Sequence, residues 1–234
     1  LKSSIEYDGE NIPFDVRYVD RKTLEIAVHP DGRVFVKAPE GTTQEVIRAR
    51  VTRRARWIKR KLDYFRQFEP RTPPRRYVGG ETHLFLGRQY RLKLVKSPDS
   101  DVKLKGGHFR VMTPYPDNAA EVKMLLDRWY VHHAILLFQK RLRACYDSVT
   151  GLSVPLPEIN VRKMTKRWGS CSKLGRIALN SALIKASLSS IDYVIMHELC
   201  HLKIPLHNEK YYRLLNKHMP DWVKRKERLE QTPL

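Results

Sequence analysis

The residues best placed to do chemistry lie in His197-Glu198-Leu199-Cys200-His201, where two imidazoles stand at i and i+4 with a glutamate beside the first. On an α-helix such positions are about 40° apart around the axis, so both rings can reach one point. Neutral imidazole nitrogens at that spacing suit Zn²⁺, and the glutamate between them can act as general base on a water at the metal. The expected chemistry is zinc-dependent hydrolysis, with a peptide bond as the leading substrate and Glu198 as the catalytic residue.

Catalytic zinc keeps three protein ligands and one open position. His207 follows the second histidine by six residues. Pro205 cannot continue a helix, so the chain turns before His207, and Asn208 reads as the N-cap of a further helix. His197, His201 and His207 therefore form the expected ligand set. Glu227 and Glu230 are rival third ligands, but they belong to the charged run beginning at Lys224, which reads as a solvated face; His218 ranks lower still. The His201-x₅-His207 spacing also fits a metzincin, yet Ile204 stands where that pattern has glycine, and Met219 reads as core packing rather than a Met-turn.

Around the motif, Leu188 to Leu202 has helical periodicity. Ser189 or Ser190 is the expected N-cap, and Asp192 suits the positive first turn. Ile191, Val194, Ile195, Leu199 and Leu202 form one apolar arc. Glu198 projects near the centre of that arc, where a carboxylate is expensive unless something pairs with it. The competing reading is a core helix whose histidines bond backbone carbonyls. Arg167, Tyr211, Tyr212 and His218 are candidate donors to a developing oxyanion. Trp168 is expected to border the cleft, and Asn180 and Asp192 are candidate partners for the ligating rings.

A second run, Arg162-Lys163-Met164-Thr165-Lys166-Arg167-Trp168-Gly169-Ser170-Cys171-Ser172, precedes the histidine helix. Ile177-Ala178-Leu179-Asn180 and Ile191-Asp192-Tyr193-Val194-Ile195 follow it, and Pro220-Asp221-Trp222 comes after the ligand region. This series resembles the YgjP-like metallopeptidases, relatives of the SprT-like and WLM zinc proteases. The resemblance is strongest from about Glu158 to Leu229 and weaker at Gly87-Arg88-Gln89-Tyr90, Trp129-Tyr130 and the basic stretch near Trp57-Ile58. It implies zinc on His197, His201 and His207, with Glu198 as acid/base. Asn208 replaces the serine frequent after the third histidine, and caps a helix equally well. Two alternative functions remain at this stage. One is hydrolysis of a nucleoside triphosphate or other phosphoanhydride. The other is a nucleic-acid-associated module with a structural zinc, which a fourth ligand such as Cys171 would favour.

The elements that must position these residues follow from periodicity. The expected class is α+β, with a β-rich N-terminal domain over 1–114 and a mostly helical, zincin-like catalytic domain with a small sheet over 115–234. Strands are expected at 12–19, 24–28, 34–37, 82–86, 89–95, 102–104 and 108–112. A basic helix is expected from Thr43 to Phe68, followed by a Pro- and Arg-rich linker over 69–78. A long helix capped by Asp117 or Asn118 comes next. Strands at 158–164 and 176–180 flank the Trp168 loop, and either could offer an edge to an extended peptide. Three helices close the chain.

With 41% apolar residues the chain is no disordered polymer. Three cysteines cannot close a disulfide framework, which fits a reducing, cytoplasmic setting. No run is long enough for a membrane span, and the opening residues Leu1-Lys2-Ser3-Ser4 do not read as a signal peptide, although the missing initiating Met leaves room for a removed leader. A net charge of +20 exceeds what solubility requires. Arg48, Arg50, Arg53, Arg54, Arg56, Lys59, Arg60 and Lys61, extended by Arg71, Arg75 and Arg76, offer either a solvated helix face or a surface for nucleic acid or another polyanion.

Overall fold

The computed structural model describes residues 1–29, 31–66, 75–149, 154–165, 167–172 and 174–232. Among these it has the expected α+β composition. Contacts divide the chain into two compact units, Leu1–Arg71 and Thr72–Leu234. This corrects the expected division at 114/115.

In the first unit, β1 (Lys2–Tyr7), β2 (Glu10–Tyr18), β3 (Glu25–Val28) and β4 (Val34–Ala38) form one sheet in the order β1-β2-β4-β3. β1 has no counterpart in the sequence reading. Its pairing with β2 turns on Asp8 and Gly9, both at positive φ (54° and 74°), the conformation of a tight two-residue hairpin. The single basic helix expected over 43–68 is two helices, α1 (Gln44–Arg53) and α2 (Ala55–Arg66); the last two residues of the expected stretch lie outside the described residues. The break falls at Arg54, whose N–H reaches back to the carbonyls of Val51 and Thr52. Val36, Ala38, Ile47, Val51, Ala55 and Ile58 form this unit's core.

The second unit has its own single core. β5 (Thr82–Phe85), β6 (Arg88–Lys96), β7 (Asp101–Lys105) and β8 (His108–Thr113) form a sheet ordered β5-β6-β8-β7. Alternation sends Leu92, Val102, Phe109 and Val111 inward, where they join Val122, Leu126, Tyr130 and Phe138 of α3 (Ala119–Asp147). That shared core is why the boundary does not fall at 114/115: this sheet cannot bury its apolar face without the helices that follow it. Asn118 is the N-cap of α3, accepting from the N–H groups of Ala120 and Glu121.

The small sheet comprises β9 (Ile159–Arg162), β10 (Gly169–Cys171) and β11 (Ile177–Asn180) in the order β10-β11-β9. β11 is parallel to β9 and antiparallel to β10. The segment over 176–180, expected as an available edge, is thus the middle strand. The edge nearest the histidines is β10, which the sequence reading left as loop.

A 3-10 turn, Ser181–Lys185, leads into α4 (Leu188–Lys203), followed by α5 (Glu209–His218) and α6 (Trp222–Glu230). The β5–β6 turn is tied to this lead-in: Leu86 N–H donates to the Ile184 carbonyl and Gly87 N–H to that of Lys185, both at 3.0 Å. Gly87 sits at φ 76°, and a Cβ there would come 3.1 Å from Ser187. No described helix is long and apolar enough to cross a membrane.

Candidate metal centre

α4 carries the first two histidines. Its N-cap is Ser187, not Ser189 or Ser190; the Ser187 hydroxyl accepts from Ser190 N–H at 3.2 Å and bonds both following serine hydroxyls at 2.9 Å. α4 ends at Lys203, with Ile204 as C-cap and Pro205 next, so the chain folds back as expected. Asn208 then caps α5 by accepting from Tyr211 N–H at 3.0 Å. Between these two helices His207 is brought over α4.

The result is a cluster of three ring nitrogens. His201 Nε2 lies 3.2 Å from His197 Nε2 and 3.0 Å from His207 Nε2, and the latter two are 3.0 Å apart. A tetrahedral zinc with Zn–N near 2.0–2.1 Å holds its nitrogens about 3.3 Å apart, so the triangle fits such an ion closely. The protonation pattern fits as well. His201 Nδ1 lies 3.1 Å from the Ile204 carbonyl, which can only accept. Its proton is therefore on Nδ1, and a lone pair on Nε2 faces the other two rings. Burial, reinforced by His201 and His207, lowers the pKa of His197 to about 3 and keeps that ring neutral. Converging lone pairs repel one another, and a cation removes the conflict.

Tyr211 walls the cluster. It is fully buried, its ring stacks on His201 with centroids 4.5 Å apart, and its hydroxyl donates to the His197 carbonyl at 3.2 Å. His197 Nδ1 has no hydrogen-bond partner among the described residues, and ring contacts with Tyr193 and Tyr211 hold it. No fourth potential ligand joins the three histidines among the described residues. Cys171 in particular stays outside the group, with its thiol directed at the Ser172 carbonyl. Glu230 instead pairs with Lys226 at 3.5 Å, and Met219 is buried in the core as expected.

Glu198 is 5% exposed, and no ion pair to it is found among the described residues. Burial raises its pKa to about 7 against the opposing charge of Arg167. Gly169 of β10 lies directly against it: a Cβ there would stand 2.6 Å from Glu198 Oε1 and 2.9 Å from Cγ. The glycine in the Arg-Trp-Gly-Ser-Cys-Ser run is thus the residue that lets β10 approach the carboxylate. Sequence reasoning missed it, although its place in that run was a signal.

A cleft of about 910 Å³ opens onto His197, Glu198, His201 and His207, with β10 along one side. Of the candidate substrate contacts only Arg167 lines it. Trp168 is half-buried and packs against the main core instead. Tyr211 has its hydroxyl committed to His197, as above. Tyr212 stacks on Trp222 with centroids 5.5 Å apart and an interplanar angle of 26°. Its ring reaches His207 only at 6.3 Å. Asn180 and Asp192 do not touch the ligating rings. Asn180 holds the loop before β10, donating to the carbonyls of Met164 and Arg167 at 2.9 and 3.1 Å and capping the 3-10 turn. Asp192 lies past the first turn of α4 and forms a two-pronged pair with Arg141 of α3, both contacts 2.7 Å.

A site of three converging histidines beside a buried carboxylate belongs to the class of metal-dependent hydrolases. The chain belongs to the YgjP-like family, whose metallopeptidase-domain model matches residues 22–232. That match spans both compact units. No curated protein matches the chain. A solved structure, the metallopeptidase zymogen of Pyrococcus abyssi abylysin, aligns at 22% identity and a TM-score of 0.36, over 39% of this chain and 90% of its own.

Proposed function

We propose that this protein is a zinc-dependent metallopeptidase in which His197, His201 and His207 hold the ion and Glu198 is the acid/base. The supporting observation is the convergence of three ring nitrogens at 3.0–3.2 Å beside a buried carboxylate that has no ion pair among the described residues. A cation held there supplies Lewis acidity, which acidifies water and polarises a carbonyl. Glu198 takes a proton from that water and delivers it to the departing amine. Its buried position favours the transfer, because a carboxyl whose pKa is raised to about 7 is a stronger base than an exposed one and still gives the proton up to an amine near neutral pH. Arg167, on the cleft wall, is the candidate oxyanion stabiliser.

The substrate is an extended peptide laid along β10, the edge strand beside the cleft. Leu156 and Leu174, 42% and 82% exposed and both lining the cleft, offer it apolar contacts. The compartment proposed is the cytoplasm, since all three cysteines are free thiols. The test joins metal analysis to digestion of a peptide library by wild type and Glu198→Gln. Wild type is expected to carry about one zinc per chain and to lose cleavage on chelation. The variant keeps the metal and loses about 10³-fold in turnover. Undiminished turnover in the variant removes Glu198 from the mechanism, and a chain that takes up no metal removes the centre.

A further inference from the structure

The sheet β5–β8 has a second face, turned away from the core. The register places Lys93 opposite Arg110, and Arg110 opposite Lys103. One pleat along, Arg91 is opposite His108, and His108 is opposite Lys105. Two rows thus cross three strands, and all six residues are exposed. The basic side chains number five, and among them the described structure gives an ion pair only to Lys103, with Asp101 at 3.3 Å. Like charges directly opposite on a sheet face are destabilising. A solvated face needs no such arrangement, and acids in alternate positions would relieve it.

From this we infer that the open face of the β5–β8 sheet is a docking surface for the phosphate backbone of duplex nucleic acid. Cations in rows on a flat sheet match a polymer with regularly spaced negative charge. Among the described residues of this face the one aromatic ring is His108, and a single ring gives no series of platforms for successive unpaired bases, so a duplex, with its bases turned inward, is favoured over a single strand. None of the large exposed apolar side chains projects from these four strands. A membrane-surface site would need such side chains to insert. The inference is independent of the metal reading, and it assigns the polyanion surface to the second unit; the basic helices belong to the first.

The experiment measures binding of a labelled random-sequence duplex to the full chain by fluorescence anisotropy over a salt series. About five phosphate contacts predict a slope of log K on log salt near −4.5. The substitution Lys93→Glu/Lys103→Glu/Arg110→Glu should lower affinity at least tenfold and flatten the slope by about 2.7. Lys93→Gln/Lys103→Gln/Arg110→Gln, a milder change, should lose affinity in the same direction with Tm unchanged or raised. Arg50→Gln/Arg53→Gln/Arg54→Gln, on α1 and its junction with α2, should lose less. No duplex binding by wild type, or a sheet variant that folds and binds with the wild-type slope, overturns the inference. So does tighter binding of wild type to phosphatidylcholine vesicles holding about 30% phosphatidylserine than to the duplex.

Discussion

Two carboxylates on α4, six residues apart, meet opposite treatment. Asp192 is clamped by Arg141 at 2.7 Å on both oxygens, with Arg225 of α6 at 4.0 Å. It joins three helices and is fully compensated. Glu198 is buried more deeply and faces a glycine, and burial raises its pKa. A fold that can pair one acid on a helix with two arginines has the means to pair the other. The contrast accords with the proton-moving role proposed for Glu198, while Asp192 is a fastening.

The widest separation between the two is expected from Glu198→Gln against Asp192→Asn. The first should lose about 10³-fold in turnover, with the melting temperature of the metal-free protein unchanged or higher, because an uncompensated buried charge has been removed. The second should leave turnover within a few-fold and lower stability by about 2 kcal/mol, by leaving Arg141 without its partner. Paired kinetics and thermal melts decide it; a large turnover loss in Asp192→Asn would erase the contrast. Gly169→Ala comes next. Its Cβ must displace the Glu198 carboxylate, so turnover should fall about 10- to 100-fold in kcat while zinc content holds. The smallest effect belongs to Tyr211→Phe, which removes only the bond to the His197 carbonyl. A stability loss of about 1 kcal/mol and a slight weakening of zinc affinity are expected, readable by competition with a chelator.

The sequence makes the histidine cluster legible because each step rests on local rules: i and i+4 on a helix, a proline that ends it, and an asparagine that caps the next. Core-facing Glu198 is legible by the same projection. What the sequence hides depends on approach between distant segments. Gly169 matters through what β10 comes up against, and three residues are too few for alternation to announce a strand. The placement of Trp168 and Tyr211 as packing groups, rather than substrate contacts, is equally a tertiary fact. So is the boundary between units: the pattern in β6 and β8 shows that one face is buried but not which helix buries it. The cationic rows were invisible too, since they exist only in the cross-strand register.

The two backbone bonds from the β5–β6 turn to Ile184 and Lys185 bear on how the molecule can be cut down. A fragment beginning at residue 115 would lose that tether, and would leave one side of α3 bare where Phe109 and Leu92 had covered it. Truncation studies that seek the smallest working peptidase should therefore keep everything from about residue 75 onward, because the hairpin is a brace for the helix that carries the histidines.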